Sequence, residues 1–133
     1  MAVYVQTNQV VNIPNQPAYN VLESDTGKIH SCPQTTLVVG DITITLPPVA
    51  PGLYYRFINS SPAAAVANVI IKGNVAGLIN GLAIDFTNGI IMANSTNIKF
   101  VSAKSVKGDY IELICDGVIW SCFGRSSVLD GIE

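Results

Sequence analysis

Residues 108–123, GDYIELICDGVIWSCF, constrain the fold more than any other part of the chain. Two apolar runs flank Asp116-Gly117, and an Asp-Gly pair in that setting is a strong signal for a two-residue hairpin turn. A turn centred there sets Cys115 opposite Val118, Leu113 opposite Trp120 and Ile111 opposite Cys122. Successive side chains of a strand point to opposite faces, so Ile111, Leu113, Cys115, Val118, Trp120 and Cys122 share one apolar face. That face is expected to be core, with Leu113 and Trp120 packed side by side. The other face carries Tyr110, Glu112, Ile114, Ile119, Ser121 and Phe123. It is too apolar for an ordinary solvent face.

The rest of the chain repeats the pattern of short strands and turns. Ile42, Ile44 and Leu46 alternate with Thr43 and Thr45, as in a half-buried strand whose apolar residues face the core. Further strands are expected at 19–22, 28–32, 53–59, 69–72, 82–86, 90–93 and 98–103. Gly, Pro, Asn and Asp clusters separate them. The segment 59–68, NSSPAAAVAN, reads as a loop with room for one helical turn at most. No stretch predicts a ten-residue helix. The pattern predicts an all-β protein, a single antiparallel β-sandwich of jelly-roll type. Its expected limits are 19–124, with a C-terminal tail over 125–133. Residues 1–18 form an extended N-terminal arm, because Asn and Gln interleave its valines and Pro14 and Pro17 remove ladder donors.

Charge and hydrophobicity turn this architecture toward function. Of 133 residues, 49% are hydrophobic and only 12% are charged, against ~25% charged in an ordinary domain. A monomer of that composition exposes more apolar surface than soluble monomers usually do, so part of it is expected to be covered by other copies. Candidate interface residues are Val3, Val5 and Val10 in the arm and Ile114, Ile119 and Phe123 on the second hairpin face. The arm cannot bury itself and is expected against a neighbouring chain. A net charge of −2 with scattered Lys and Arg gives no footprint for nucleic acid. No apolar run approaches the ~18–20 residues of a membrane helix, and the start lacks a signal-peptide pattern, so synthesis in a cytoplasm is expected. Three cysteines leave at least one thiol unpaired. In the hairpin register above, Cys115 and Cys122 lie about 13 Å apart, beyond the ~7 Å reach of a disulfide, so all three are expected to be reduced.

Chemistry is hard to find. Asp25-Thr26-Gly27 matches the aspartic-protease triplet, but Glu23, Ser24 and Lys28 make it a solvated turn rather than a dry cleft. Gly27-Lys28 lacks the upstream Gly of a phosphate-binding loop, and Ile29 stands where a Ser or Thr is needed. His30 and Cys32 share one strand face without further ligands in sequence, which fits a packed structural pair better than a dyad or metal site. Asp41, Asp85, Asp109, Asp116 and Asp130 read as turn carboxylates. Tyr54, Tyr55, Tyr110 and Trp120 are the rings that a sugar platform would use, although aromatics at strand alternation usually pack in a core or interface. No catalytic residue, metal or cofactor is expected.

Four stretches in this order carry a resemblance. They are Tyr19-x-Val21-Leu22 with Asp25-Thr26-Gly27-Lys28; Ile42-Thr43-Ile44-Thr45-Leu46-Pro47; Pro51-Gly52-Leu53-x-Tyr55-x-Phe57; and Ile111-x-Leu113-x-x-Asp116-Gly117-x-x-Trp120. From about Tyr19 to Phe123 the chain resembles the small β-sandwich modules of phage tail fibres, virion appendages and structural proteins of large double-stranded DNA viruses. The resemblance implies a non-enzymatic virion component, capsid-associated or part of an appendage or fibre, that forms a homotrimer and contacts other virion proteins. It brings no catalytic residues. The alternative expectation is a module that binds a host-surface glycan or receptor.

Overall fold

The computed structural model describes residues 10–33, 35, 39–61, 66–76 and 78–133. Among them the chain forms eleven strands and one short 3-10 turn, Glu23–Asp25. The strands are β1 (Val10–Asn12), β2 (Ala18–Asn20), β3 (Ile29–Cys32), β4 (Ile42–Thr45), β5 (Pro51–Asn59) and β6 (Val69–Lys72). They continue with β7 (Ile79–Asp85), β8 (Asn88–Ser95), β9 (Asn97–Phe100), β10 (Tyr110–Asp116) and β11 (Trp120–Ser126). A seven-stranded sheet has the order β1-β3-β5-β10-β11-β7-β8, and a four-stranded sheet has the order β2-β4-β6-β9.

The protein is all-β, but its sheets are mixed rather than antiparallel. From β1 to β6 the chain alternates between the sheets, and each strand lies parallel to the one two places earlier. Parallel neighbours need a long crossover. Here the crossover contains a strand of the opposite sheet, so the first half winds as a flattened coil. Antiparallel pairing enters only later, at β7-β8, β6-β9, β5-β10 and β10-β11, while β11 and β7 are again parallel. Short strands separated by turns look alike in sequence whether the next strand pairs or crosses over.

The segments 10–13 and 125–133 join this architecture. Val10–Asn12, expected in an extended arm against a neighbouring chain, pairs with β3 of its own chain, and Ile13 is buried while its N–H donates to the Ser31 carbonyl at 3.0 Å. The tail, expected from 125, begins inside β11. It then returns along β9, where Ile132 is buried and the Lys99 and Glu133 backbones exchange hydrogen bonds of 2.9 and 3.1 Å. Val3 and Val5 lie outside the described residues, as does 62–65 of the alanine-rich loop.

The final hairpin forms one step away from the expected register. Its turn centres on Gly117-Val118, so Cys115 pairs with Trp120, Leu113 with Cys122 and Ile111 with Gly124. Asp116 causes the shift: its Oδ1 accepts the Val118 and Ile119 N–H groups at 2.8 and 2.9 Å. The left-handed position therefore falls on Gly117, at φ 103°. Moving every pair by two residues preserves the faces, so the core side chains stay inside. Val118 alone leaves, at 69% exposure.

Both sheets contribute to one apolar core. Ile42, Ile44 and Leu46 are fully buried, as are Leu113 and Trp120. Trp120 lies across from Tyr55, ring centroids 5.9 Å apart, rather than directly beside Leu113. Asp109 is a buried hub and not a solvated turn carboxylate. It accepts the Ser105 and Ser126 hydroxyls at 2.9 and 2.7 Å and the Val106 and Ser127 N–H groups at 2.9 and 3.1 Å. Four donors satisfy the charge that burial would otherwise penalise, and they tie the start of β10 to the end of β11.

Candidate functional site

Asp25 ends the 3-10 turn, and its Oδ1 forms an ion pair with Lys28 Nζ at 2.8 Å. It is a locally satisfied carboxylate. His30 is buried, with its ring 5.5 Å from Tyr55 and 5.2 Å from Phe57. Desolvation holds its pKa below the usual histidine range, and burial pushes the neighbouring Cys32 thiol up. Both are driven to their neutral forms, the opposite of a thiolate–imidazolium pair. Burial also raises the Cys122 thiol to about 11. All three cysteines are free and buried. The register shift brings Cys115 and Cys122 to a diagonal spacing of about 7–8 Å, so their separation is smaller than the sequence implied. Among the described residues no group of three or more His, Cys, Asp or Glu side chains is placed to hold a metal ion, and no helix is long and apolar enough to cross a membrane.

The expected sugar platform divides. Tyr55 and Trp120 are sealed in the core, the Tyr55 hydroxyl donating to the Leu22 carbonyl at 3.0 Å. Tyr54 and Tyr110 remain half-buried on the outward face of the seven-stranded sheet, where the Arg56 guanidinium stacks 4.6 Å over the Tyr110 ring. Arg56 Nε also lies 3.5 Å from Glu112 Oε1, an ion pair without hydrogen-bond geometry.

That outward face is the most distinctive surface of the molecule. Residues in register across adjacent strands are direct neighbours, ~4.7–4.9 Å apart in the hydrogen-bonding direction. One such row runs Arg56, Glu112, Phe123, Leu82, Ile91 through β5, β10, β11, β7 and β8. Its first two members are a charged pair, and its last three are exposed by 54%, 44% and 79%. Ile84 lies one row away on β7 and Ile114 one row away on β10, both exposed, and Phe86 is exposed just beyond β7. The result is a contiguous apolar patch bordered by an ion pair. Patches of this kind on soluble proteins mark contact surfaces.

Of the six residues expected at an interface, Ile114 and Phe123 sit on this face. Val10 is exposed on the far edge strand, β1. Ile119 is half-buried and lies just before β11 begins. It closes the shifted turn, its carbonyl accepting the Asp116 N–H at 3.3 Å. Leu82, Ile84 and Ile91 were missed. Their strands were legible, but nothing in the sequence announces that β7 lies beside β11.

A scan of protein-family models and a search of curated proteins return no match. The resemblance to virion modules therefore rests on the four motif stretches alone.

Proposed function

We propose that the protein is a non-enzymatic structural component of a virion, capsid-associated or part of an appendage, made in the host cytoplasm and assembled from several copies of this chain. In this reading the two sheets over one core act as a β-sandwich module, and a trimer is the preferred oligomer, as the resemblance implies. The observation that carries the proposal is the apolar row Phe123–Leu82–Ile91, which a monomer would leave in water. Native mass spectrometry and light scattering of the full chain test it. Phe123→Glu should lower the assembly mass while the far-ultraviolet circular dichroism stays unchanged. A stable monomer at micromolar concentration overturns the proposal. Mass spectrometry of purified particles should show this chain at high copy number.

A second reading has one observation in its favour. Lys107 and Arg125 take part in none of the four ion pairs among the described residues, and both line a cleft of about 270 Å³ with Tyr110. Two uncommitted cations beside an aromatic ring suit an acidic sugar. A glycan array probed with the full chain and with Arg125→Ala tests this, and loss of acidic-glycan signal in the variant supports it.

A further inference from the structure

The two sheets have four outer edges, and three are protected. β1 and β2 are three residues long, and prolines stand close by, at Pro14 after β1 and Pro17 before β2. β9 is covered by the returning C-terminal residues, with Val101 N–H also bonded to the Gly131 carbonyl at 3.0 Å. The fourth, β8, is different. It runs eight residues, NGIIMANS, pairs among the described residues only with β7, and contains neither proline nor charge. Five of those eight residues are exposed. Its inner side opens onto clefts of about 540 and 510 Å³, lined by Ile90 and Met92 on one bank and Ile132 and Glu133 on the other. Natural sheets shield long edges with lysine, proline, bulges or covering segments, because bare ladder groups recruit another strand. Among the described residues β8 has no lysine, proline or covering segment, and its one irregularity, an extra residue between Met92 and Ser95 with Asn94 at φ 50°, lies at the end of the strand and leaves 88–92 regularly paired with β7.

We propose that β8 pairs antiparallel with β8 of a second copy, about a two-fold axis through Ile91. This rests on the reading of the protein as self-assembling and names the joint. The partner follows from the strand's own sequence, because Asn88–Asn94 reads alike in both directions: Asn, small, apolar, Ile, apolar, small, Asn. In that register Ile91 meets Ile91, Ile90 meets Met92 and Gly89 meets Ala93, and the pairing ends at Asn94, whose φ of 50° breaks the strand and whose N–H bonds Asn80 Oδ1. Every pair joins like with like, as an isologous contact requires. The absence of charge means that self-apposition brings no repulsion. Ile91, the most exposed large apolar side chain among the described residues, is covered by its own copy. The row Phe123–Leu82–Ile91 then continues across the joint into Ile91–Leu82–Phe123 of the second chain. A two-fold joint does not create three-fold order. Where both operate, trimers are linked in pairs.

Cross-linking of the full chain tests both pairing and register. Residues directly opposed in an antiparallel pair have Cα atoms ~4.5–5.5 Å apart, within disulfide reach. Ile91→Cys should oxidise to a covalent dimer. Ala93→Cys alone should not, since two copies of it sit four positions apart, but it should cross-link when mixed with Gly89→Cys. The native cysteines are buried and act as silent background. Ile91→Lys, which sets two ammonium groups face to face, should halve the assembly mass or weaken association at least tenfold, with an unchanged circular dichroism spectrum. An Ile91→Cys chain that stays uncross-linked overturns the joint. So does self-cross-linking of Ala93→Cys, or an assembly untouched by Ile91→Lys. If larger assemblies persist through these failures, self-association stands and only the β8 joint falls. A monomer under every condition removes both.

Discussion

Trp120 offers a test in which two opposing terms are separated by two substitutions. Its side chain is fully buried against Tyr55, and its indole Nε1–H has no hydrogen-bond partner among the described residues. Truncating such a residue to alanine removes its packing and leaves a cavity, at a cost of about 3–5 kcal/mol. That is a large share of the ~5–15 kcal/mol by which a domain is stable, so Trp120→Ala should yield little soluble protein. Trp120→Phe is the informative partner. Shrinking indole to phenyl leaves a smaller void, costing on the order of 1–2 kcal/mol within the large-to-small range. It also deletes a buried donor whose missing partner costs about 1–3 kcal/mol. The two terms nearly cancel, so Trp120→Phe should fall within about 1 kcal/mol of the native chain. Urea unfolding followed by circular dichroism is the assay, since this is the only tryptophan and its loss removes the fluorescence probe. Comparable destabilisation by both substitutions would refute the reasoning, because it would mean that the N–H contributes a bond.

Four further outcomes follow from the geometry. His30 is held neutral by burial, so the unfolded chain binds its proton at higher pH than the folded one. Stability should be complete above about pH 6.5 and fall as pH drops below it, by at most ~1.4 kcal/mol per unit, and His30→Phe should flatten that slope in urea titrations at graded pH. Asp109→Ala strands the Ser105 hydroxyl and the Val106 and Ser127 N–H groups, while the Ser126 hydroxyl keeps the Val128 carbonyl, and it should lower the urea midpoint by an amount worth about 3 kcal/mol, whereas Ser105→Ala should cost roughly 1. Gly81 has φ 143° and an added Cβ would collide with the Cys122 carbonyl, so Gly81→Ala should fail to fold; Gly40→Ala, with open space but φ 70°, should cost only about 1–2 kcal/mol by thermal unfolding. Alkylation without reductant should modify no cysteine in the native protein and all three once it is denatured, and fewer than three modified thiols on denaturation would reveal a disulfide.

How much of this was legible follows from what each signal encodes. Alternation reports which face of a strand is buried, and Ile42, Ile44 and Leu46 are where period-two reading puts them. The same logic placed Leu113 and Trp120 inside even though the hairpin register moved, because a shift of two residues preserves the face. The register itself was lost to one side chain. Asp116 caps the turn through its carboxylate, a contact that competes with the type I′ geometry that an Asp-Gly pair favours. Strand partnership was less accessible still. A turn signal distinguishes a hairpin from a break, but the segment between β1 and β3 differs from an ordinary loop only by containing β2, whose partner β4 lies more than twenty residues ahead.

That missing partnership is also why the candidate face was only half visible. Ile114 and Phe123 announced themselves as surplus apolar residues on the second hairpin face, since the first face already supplied the core. Their significance as isolated side chains is small, because single exposed hydrophobics are ordinary on protein surfaces. Parallel pairing of β11 with β7 changes this by setting Phe123 beside Leu82, and antiparallel pairing of β7 with β8 then adds Ile91. A low charge fraction can be spread harmlessly over a surface or concentrated in one place, and composition does not distinguish the two. Here the strand order concentrates it. Phe123 of β11 joins Leu82 and Ile91 of the distant β7–β8 hairpin in one row, the row ends at the only long uncovered edge among the described residues, and that edge reads alike in both directions about Ile91. Each feature alone has an ordinary explanation. Their meeting at Ile91 is why substitutions at this residue, rather than at the more hydrophobic but buried core positions, should separate assembly from folding.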